Sequence, residues 1–429
     1  MNFLLLGLML ASWIVGYRRY GLFSVVGALL VGLTAYSIPV VLQTYLVPGY
    51  WGLSLATVSI GAAYVVVWAW LWVLLGLFLF STSSDVVPGQ RYWELSPHQA
   101  IRARQEISVF CVLCAVVSTG LYLWIALLDD PLYFLQDRQT ADVSAEYQKM
   151  LWRWVNVYGL ITAVFARFKF LALLFLSYIG IYFLAGDRTM VLISGVSLLV
   201  YFLTEVRSIK QVIRLRYILY VMTLGGLLWL GKPIYLAVKL QSMLPLERLF
   251  SSSTFILELS FLEPLLTHTI LEDVLRSDFS YPWQQLLLGS VGQLLIIPSA
   301  FGIDSSAFNV SIHQNLYPNI QYGMAAHYFA QGWSVAGPLG VALFALLLTY
   351  TICFLHRKIK SSWGLRRLVF VVVGVTVGSY FYRNSLENVL SLIRQQLLVV
   401  AALMIVTQAC RKYFYRPAAQ GEGSSRLPA

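Results

Sequence analysis

Long runs of apolar residues without a charged side chain recur along this chain of 429 residues. One such run extends from Leu53 to Phe80. A helix needs roughly 20 residues to cross the ~30 Å hydrocarbon core of a bilayer. Backbone hydrogen bonds in that layer can be satisfied only within helices or closed barrels. The runs therefore predict an all-α polytopic membrane protein.

The composition supports this class, since 59% of the residues are hydrophobic and only 11% are charged. A soluble chain carries about a quarter charged residues. The net charge of +11 could indicate a nucleic-acid partner. However, the basic residues stand at the ends of apolar runs, on alternating sides, as the positive-inside rule describes. We therefore expect membrane lipids around the chain and no nucleic acid.

The basic clusters predict about 11 transmembrane helices, within a range of 10–13, with the N-terminus outside and the C-terminus in the cytoplasm. Residues 1–416 would form a single membrane domain, and the Gly/Ser-rich segment 417–429 a disordered cytoplasmic tail. The predicted spans are residues 2–16, 22–47, 54–80, 107–128, 152–165, 170–185, 190–204, 217–230, 335–355, 368–382 and 397–408.

One large extracytoplasmic loop, about residues 233–335, interrupts this series. It contains acidic residues and three of the five histidines among Leu, Phe, Tyr and Trp. Within it, residues 255–271 and 285–301 are apolar enough to form short helices in the membrane interface. We expect this loop to carry the functional site.

Four arginines lie on the predicted outer side, where the positive-inside rule disfavours them. They are Arg188, Arg248, Arg276 and Arg383. A guanidinium can donate to two phosphate oxygens at once. This indicates a pocket for the diphosphate of a lipid-linked donor. Alternatively, these arginines meet anionic headgroups or pair locally, as Arg188 could with Asp187.

Histidine and glutamate side chains in the loop are candidates for acid–base chemistry. His327, His313 and Glu263 are the strongest, because a general base needs a pKa near the working pH and burial raises the pKa of a glutamate toward it. The alternative is that each is a structural residue. No Asp-Xaa-Asp triplet, zinc motif or nucleotide-binding motif occurs, so we expect no metal and no cofactor.

Three short motifs support a family resemblance. His327 precedes Gly337-Pro-Leu-Gly340-Val at the start of an apolar span, Gly186-Asp-Arg-Thr189 begins another, and Phe381-Tyr-Arg-Asn-Ser-Leu386 closes a third. Their order resembles the O-antigen polymerase and ligase superfamily, and the last motif is similar to an element of Wzy-type repeat-unit polymerases. The interval from His327 to Gly337 is one residue shorter than in the ligases.

The resemblance implies a metal-independent, inverting glycosyltransferase of GT-C type in the bacterial inner membrane. Donor and acceptor would be undecaprenyl-diphosphate-linked oligosaccharides, with a chain-length regulator and a flippase as candidate partners. Arg188 and Arg383 would hold the diphosphate, with Arg276, Arg248 and His313 as further substrate-binding residues. His327, then Glu263, would activate or orient the acceptor.

Two alternatives remain open at this stage. An O-antigen ligase would share the fold and the donor but transfer the glycan to lipid A core. A lipid-linked oligosaccharide flippase belongs to a different class, and the large loop argues against it.

Surfaces on which sugars stack would come from aromatic residues of the loop, namely Tyr281, Trp283, Tyr317 and Tyr322.

Overall fold

The computed structural model describes residues 1–49, 52–81, 97–128, 146–184, 189–203, 253–304, 307–318 and 326–414, with six isolated positions between 220 and 237. Helices make up almost all of it. They are α1 (Asn2–Tyr20), α2 (Val25–Leu42), α3 (Ile60–Leu79), α4 (Pro97–Leu128), α5 (Glu146–Ala166), α6 (Lys169–Leu184), α7 (Thr189–Leu203), α8 (Ser253–Arg276), α9 (Trp283–Gly292), α10 (Ala307–Leu316), α11 (Tyr328–Ser361), α12 (Gly364–Tyr380) and α13 (Leu386–Phe414). Short 3-10 turns cover Pro298–Phe301 and Phe381–Arg383.

Six helices in the described part of the chain are long and apolar enough to cross a membrane. This agrees with the predicted helical membrane protein. The count of about 11 spans stays a prediction, because α6 and α7 are shorter and the segment 204–252 is described only at isolated positions. The six are Val25–Leu42, Ile60–Leu79, Ile101–Leu127, Tyr328–Ser361, Gly364–Arg383 and Leu386–Arg411.

A β-hairpin separates α2 from α3, where the sequence predicted two spans meeting at a turn. Gln43 ends α2 with a left-handed backbone (φ 56°). Strands β1 (Thr44–Gly49) and β2 (Gly52–Thr57) then pair antiparallel. The predicted spans 22–47 and 54–80 are therefore too long at the ends that meet. Apolarity alone cannot distinguish a strand from the last turns of a helix.

Helix α11 contains a sharp reversal that places the residues before it. Gly337 has φ +55°, a conformation that disfavours side chains, and Pro338 follows it. A Cβ on Gly340 would lie 1.8 Å from the carbonyl oxygen of Gly332. Both glycines of the predicted motif therefore have a structural role. Gly337 allows the turn, and Gly340 allows residues 328–335 to pack back onto the span.

Helices α2 and α12 run side by side in the same direction. Gly374 packs against Val25, and the carbonyl of Gly378 approaches Gly32. At the far end of this pair Tyr36 meets the residues just after α12. We call this the site end of the bundle.

The opposite end, which we call the basic end, carries several basic residues of the predicted cytoplasmic clusters within the described ranges. The end of α1 meets α11 where Tyr20 contacts His356, and Arg19 covers the ring of Phe78 at the end of α3. Arg411 of α13 pairs with Glu106 of α4. These basic residues thus lie at helix ends away from the site end, while the side of the membrane that they face stays a prediction.

Helix α8 is longer than the short interfacial helix expected over 255–271. It lies against α2, α3, α11 and β1. The hydroxyl of Thr269 donates to the carbonyl of Leu46, and Arg276 donates to the hydroxyl of Tyr45 at 3.4 Å. This packing brings the acidic and histidine residues of α8 to the site end.

Candidate functional site

An ion pair joins α8 to the end of α12. The Nη1 of Arg383 donates to Oε1 of Glu263 at 2.5 Å. Tyr36 of α2 donates to the same oxygen at 2.8 Å. The two charged side chains remain 34% and 32% exposed, so the pair lies at an opening rather than in the core. Arg383 also covers the ring of Tyr380, with 5.2 Å from its guanidinium carbon to the ring centroid.

Tyr382 connects this pair to His327. Its ring stacks on Tyr36 with 4.6 Å between centroids and meets the ring of His327 edge-on at 4.8 Å. The backbone N–H of Ala326 donates to the carbonyl of Arg383 at 2.9 Å. Sequence reasoning placed Glu263, His327 and Arg383 in one site, and the structure brings all three together.

His327 caps the N-terminus of α11 with its ring. Its Nδ1 accepts the N–H of Ala330 at 3.1 Å. The nitrogen that accepts has no proton, so the hydrogen bond assigns the ring proton to Nε2. Burial holds the pKa of His327 well below its usual value, and His268 adds to this effect. The ring is therefore neutral at pH 7 and offers Nε2 as a donor.

A second histidine and a carboxylate lie behind His327. The ring centroids of His268 and His327 are 6.5 Å apart. His268 lies one helical turn before Glu272, with 3.6 Å between Nε2 and Oε1. The N–H of Ser59 donates to the same oxygen at 2.7 Å. Burial raises the pKa of Glu272, but the contacts with His268 and Ser59 outweigh it, so the carboxyl pKa lies below its usual value.

A buried polar network fixes the segment that carries His327. Gln331 donates to Oε2 of Glu387 at 2.7 Å and accepts from the N–H of Leu386 at 2.8 Å. Tyr281 donates to Oε1 of Glu387 at 3.3 Å, and its N–H donates to the carbonyl of Ser334 at 2.9 Å. Since buried polar groups are costly unless paired, this network specifies one arrangement of α11 against α13.

A cavity of about 150 Å³ opens beside the ring of Tyr380. It lies between α5, α7 and α13, and its polar lining comes from Arg153, Thr189 and Asn388. Arg383 does not line the cavity, but its guanidinium lies over the ring of Tyr380, which does. The lining therefore combines one cationic and two aromatic side chains, Arg153, Trp154 and Tyr380.

The other predicted residues fall elsewhere. Arg276 is thirteen residues beyond Glu263 on α8, which corresponds to roughly 20 Å of helix, and it meets Tyr45 instead of Arg383. His313 lies on α10, half-buried. Arg188 and Arg248 lie outside the described residues, although Thr189, next in sequence to Arg188, lines the cavity.

Two of the four predicted sugar-stacking aromatics are buried and do not offer a stacking surface. Tyr281 and Tyr317 are buried, and the hydroxyl of Tyr317 donates to Asp273. Trp283 is 59% exposed. Tyr322 lies outside the described residues.

Sequence reasoning missed Tyr36 and did not select His268, Glu272 or Glu387. Tyr36 stands in the predicted second span beside Thr34 and Ser37, and polar groups inside a span are a signal for function. His268 and Glu272 are spaced i, i+4, so a helix places them on one face. That spacing was available from the sequence.

No group of three metal-ligating side chains occurs in the described ranges. Comparisons with protein-family models, with curated proteins and with solved structures found no match to this chain. The family resemblance therefore depends on its motifs alone.

Proposed function

We propose that this protein is a membrane glycosyltransferase that polymerises undecaprenyl-diphosphate-linked oligosaccharide repeat units of a bacterial surface polysaccharide. The observation that carries the proposal is the Glu263–Arg383 pair at an opening, with the neutral ring of His327 one aromatic residue away. His327 and Arg383 come from two of the motifs, and Glu263 comes from helix α8 of the predicted loop. An active site that uses these motifs requires them to lie close together.

The chemistry of this site suits a reaction that releases a diphosphate. Arg383 has five donors, of which the contact with Glu263 uses one. Preorganised donors of this kind stabilise the negative charge that develops on a leaving group. Glu263, which also accepts from Tyr36, holds the guanidinium in place at the end of α12. His327 then orients the acceptor hydroxyl through its Nε2 donor.

The proposal includes a location and a topology. The protein would lie in the inner membrane with about 11 spans and a GT-C-like fold. The site end would face the periplasm and the basic end the cytoplasm, as the positive-inside rule favours. A chain-length regulator and a flippase would be its partners, and no metal or cofactor would take part.

The test is complementation of a strain that lacks the gene, with surface glycan and lipid-linked intermediates resolved on gels. Wild type should restore a ladder, while Arg383→Ala and His327→Ala should leave core with a single repeat unit. Each variant must first reach the membrane at wild-type level. Bare core with lipid-linked polymer behind it would identify a ligase. An unchanged ladder in both variants would contradict the site.

A further inference from the structure

The two buried histidines of the site differ in the nitrogen that each leaves available. His327 uses the lone pair of Nδ1 to cap α11, so its remaining nitrogen is a donor. A ring in this state cannot take a proton from a hydroxyl at Nε2. The proton of the acceptor hydroxyl therefore needs another destination.

His268 has the opposite arrangement. Its Nε2 faces the Glu272 carboxylate at 3.6 Å, and both residues are almost fully buried. A carboxylate beside Nε2 favours the tautomer with the proton on that nitrogen. At 3.6 Å this contact is an ion pair and not a hydrogen bond, and neither ring nitrogen has a hydrogen-bond partner within the described residues. The lone pair is then on Nδ1, which is buried and unpaired. A histidine beside a carboxylate, with its other nitrogen unpaired, is the arrangement of a general base.

We propose that His268, oriented by Glu272, is the proton acceptor of this site and that His327 is a neutral hydrogen-bond donor. This inference depends on the proposed function for its reaction. Glu263 is less suited to the role, because its Oε1 already accepts from Arg383 and Tyr36.

The step balances without a co-reactant. The proton of the acceptor hydroxyl passes to Nδ1 of His268. The oxygen forms its bond to the anomeric carbon of the donor. The bond from that carbon to the diphosphate oxygen breaks, and the electron pair leaves with the lipid diphosphate. His268 returns the proton to solvent afterwards.

Three titratable groups face His268. Glu272 comes from its own helix, and His327 comes from the segment before α11. Tyr45 comes from β1, with ring centroids 5.8 Å apart, and its hydroxyl accepts from Arg276.

The experiment measures polymerisation of purified lipid-linked repeat units by the full chain in nanodiscs, from pH 5.5 to 8.5. His268→Gln should lower the rate by about 100-fold or more and remove the acidic limb of the pH–rate profile. His327→Gln should lower the rate but keep that limb. His356→Gln, a buried histidine at the basic end, is the matched control and should leave both unchanged. An acidic limb that persists in His268→Gln, or disappears in His327→Gln, overturns the inference.

A second measurement separates this inference from the proposed function. If wild type makes no polymer, the function fails, and the tautomers can still be read by ¹⁵N NMR of histidine-labelled protein. The five histidines are assigned by single substitutions. His327 should have its proton on Nε2, and His268 an unprotonated Nδ1 whose signal shifts in Glu272→Gln. A proton on Nδ1 of neutral His268, or a lone pair on Nε2 of His327, overturns the assignment even if polymer forms.

Discussion

The two ends of this bundle use the same kind of contact for different purposes. At the site end Arg383 pairs with Glu263, and at the basic end Arg411 pairs with Glu106. Each pair ties helices that are distant in sequence. The surroundings differ: in the first pair Glu263 also accepts from Tyr36, whereas in the second Glu106 also meets Arg102 at 3.4 Å. An ion pair between helices therefore indicates a functional site only when the groups around it also suit that function.

The largest expected effect is the difference in polymerisation rate between variants of Arg383 and of Arg411. Arg383→Ala should lower the polymerisation rate by about 100-fold or more, because a preorganised donor at the leaving group is lost. Arg411→Ala should leave the rate within a factor of about three, since its pair is remote from the site. Initial rates in nanodiscs provide the measurement. Equal losses in both variants, at equal folded yield, would mean that Arg383 acts only through stability.

The sequence predicted the class of this fold because the class depends on composition along single helices, whereas its sidedness stays a prediction. Uncharged runs and basic clusters need no tertiary information, and the grouping of Arg19 and Arg411 at one end follows from them. The hairpin after Gln43 was not predicted, because its strands are as apolar as a helix end. Its position depends on contacts with Thr269 and Arg276, more than 200 residues away.

The site was predicted in part for a similar reason. Glu263, His327 and Arg383 stand in motifs or in unusual positions, so local patterns indicated them. Tyr36 belongs to the site only because α2 runs beside α12. The state of His327 could not be predicted at all, since it depends on one hydrogen bond to Ala330.

A smaller difference in polymerisation rate should distinguish Tyr36 at the site end from Tyr20 at the basic end. Tyr36→Phe removes a hydrogen bond to the Glu263 carboxylate but keeps the stack on Tyr382. We expect the rate to fall about tenfold, equivalent to about 1.4 kcal/mol. Tyr20→Phe removes a hydrogen bond to Cys353 at the basic end and should leave the rate unchanged. A loss in Tyr20→Phe that matches Tyr36→Phe would remove the distinction between the two ends.

The smallest effect concerns stability and pH. Burial lowers the pKa of His327 in the folded protein, while the unfolded chain keeps a pKa of about 6.5. Below that pH the unfolded state binds the extra proton, so folding loses up to about 1.4 kcal/mol per pH unit until the folded pKa is reached. Wild type should therefore melt at a lower temperature at pH 5.5 than at pH 7.5. His327→Gln should reduce this difference. An undiminished pH dependence in the variant would show that His327 is charged or exposed in the folded state, and the assignment of its ring as a neutral donor at the site end would be wrong.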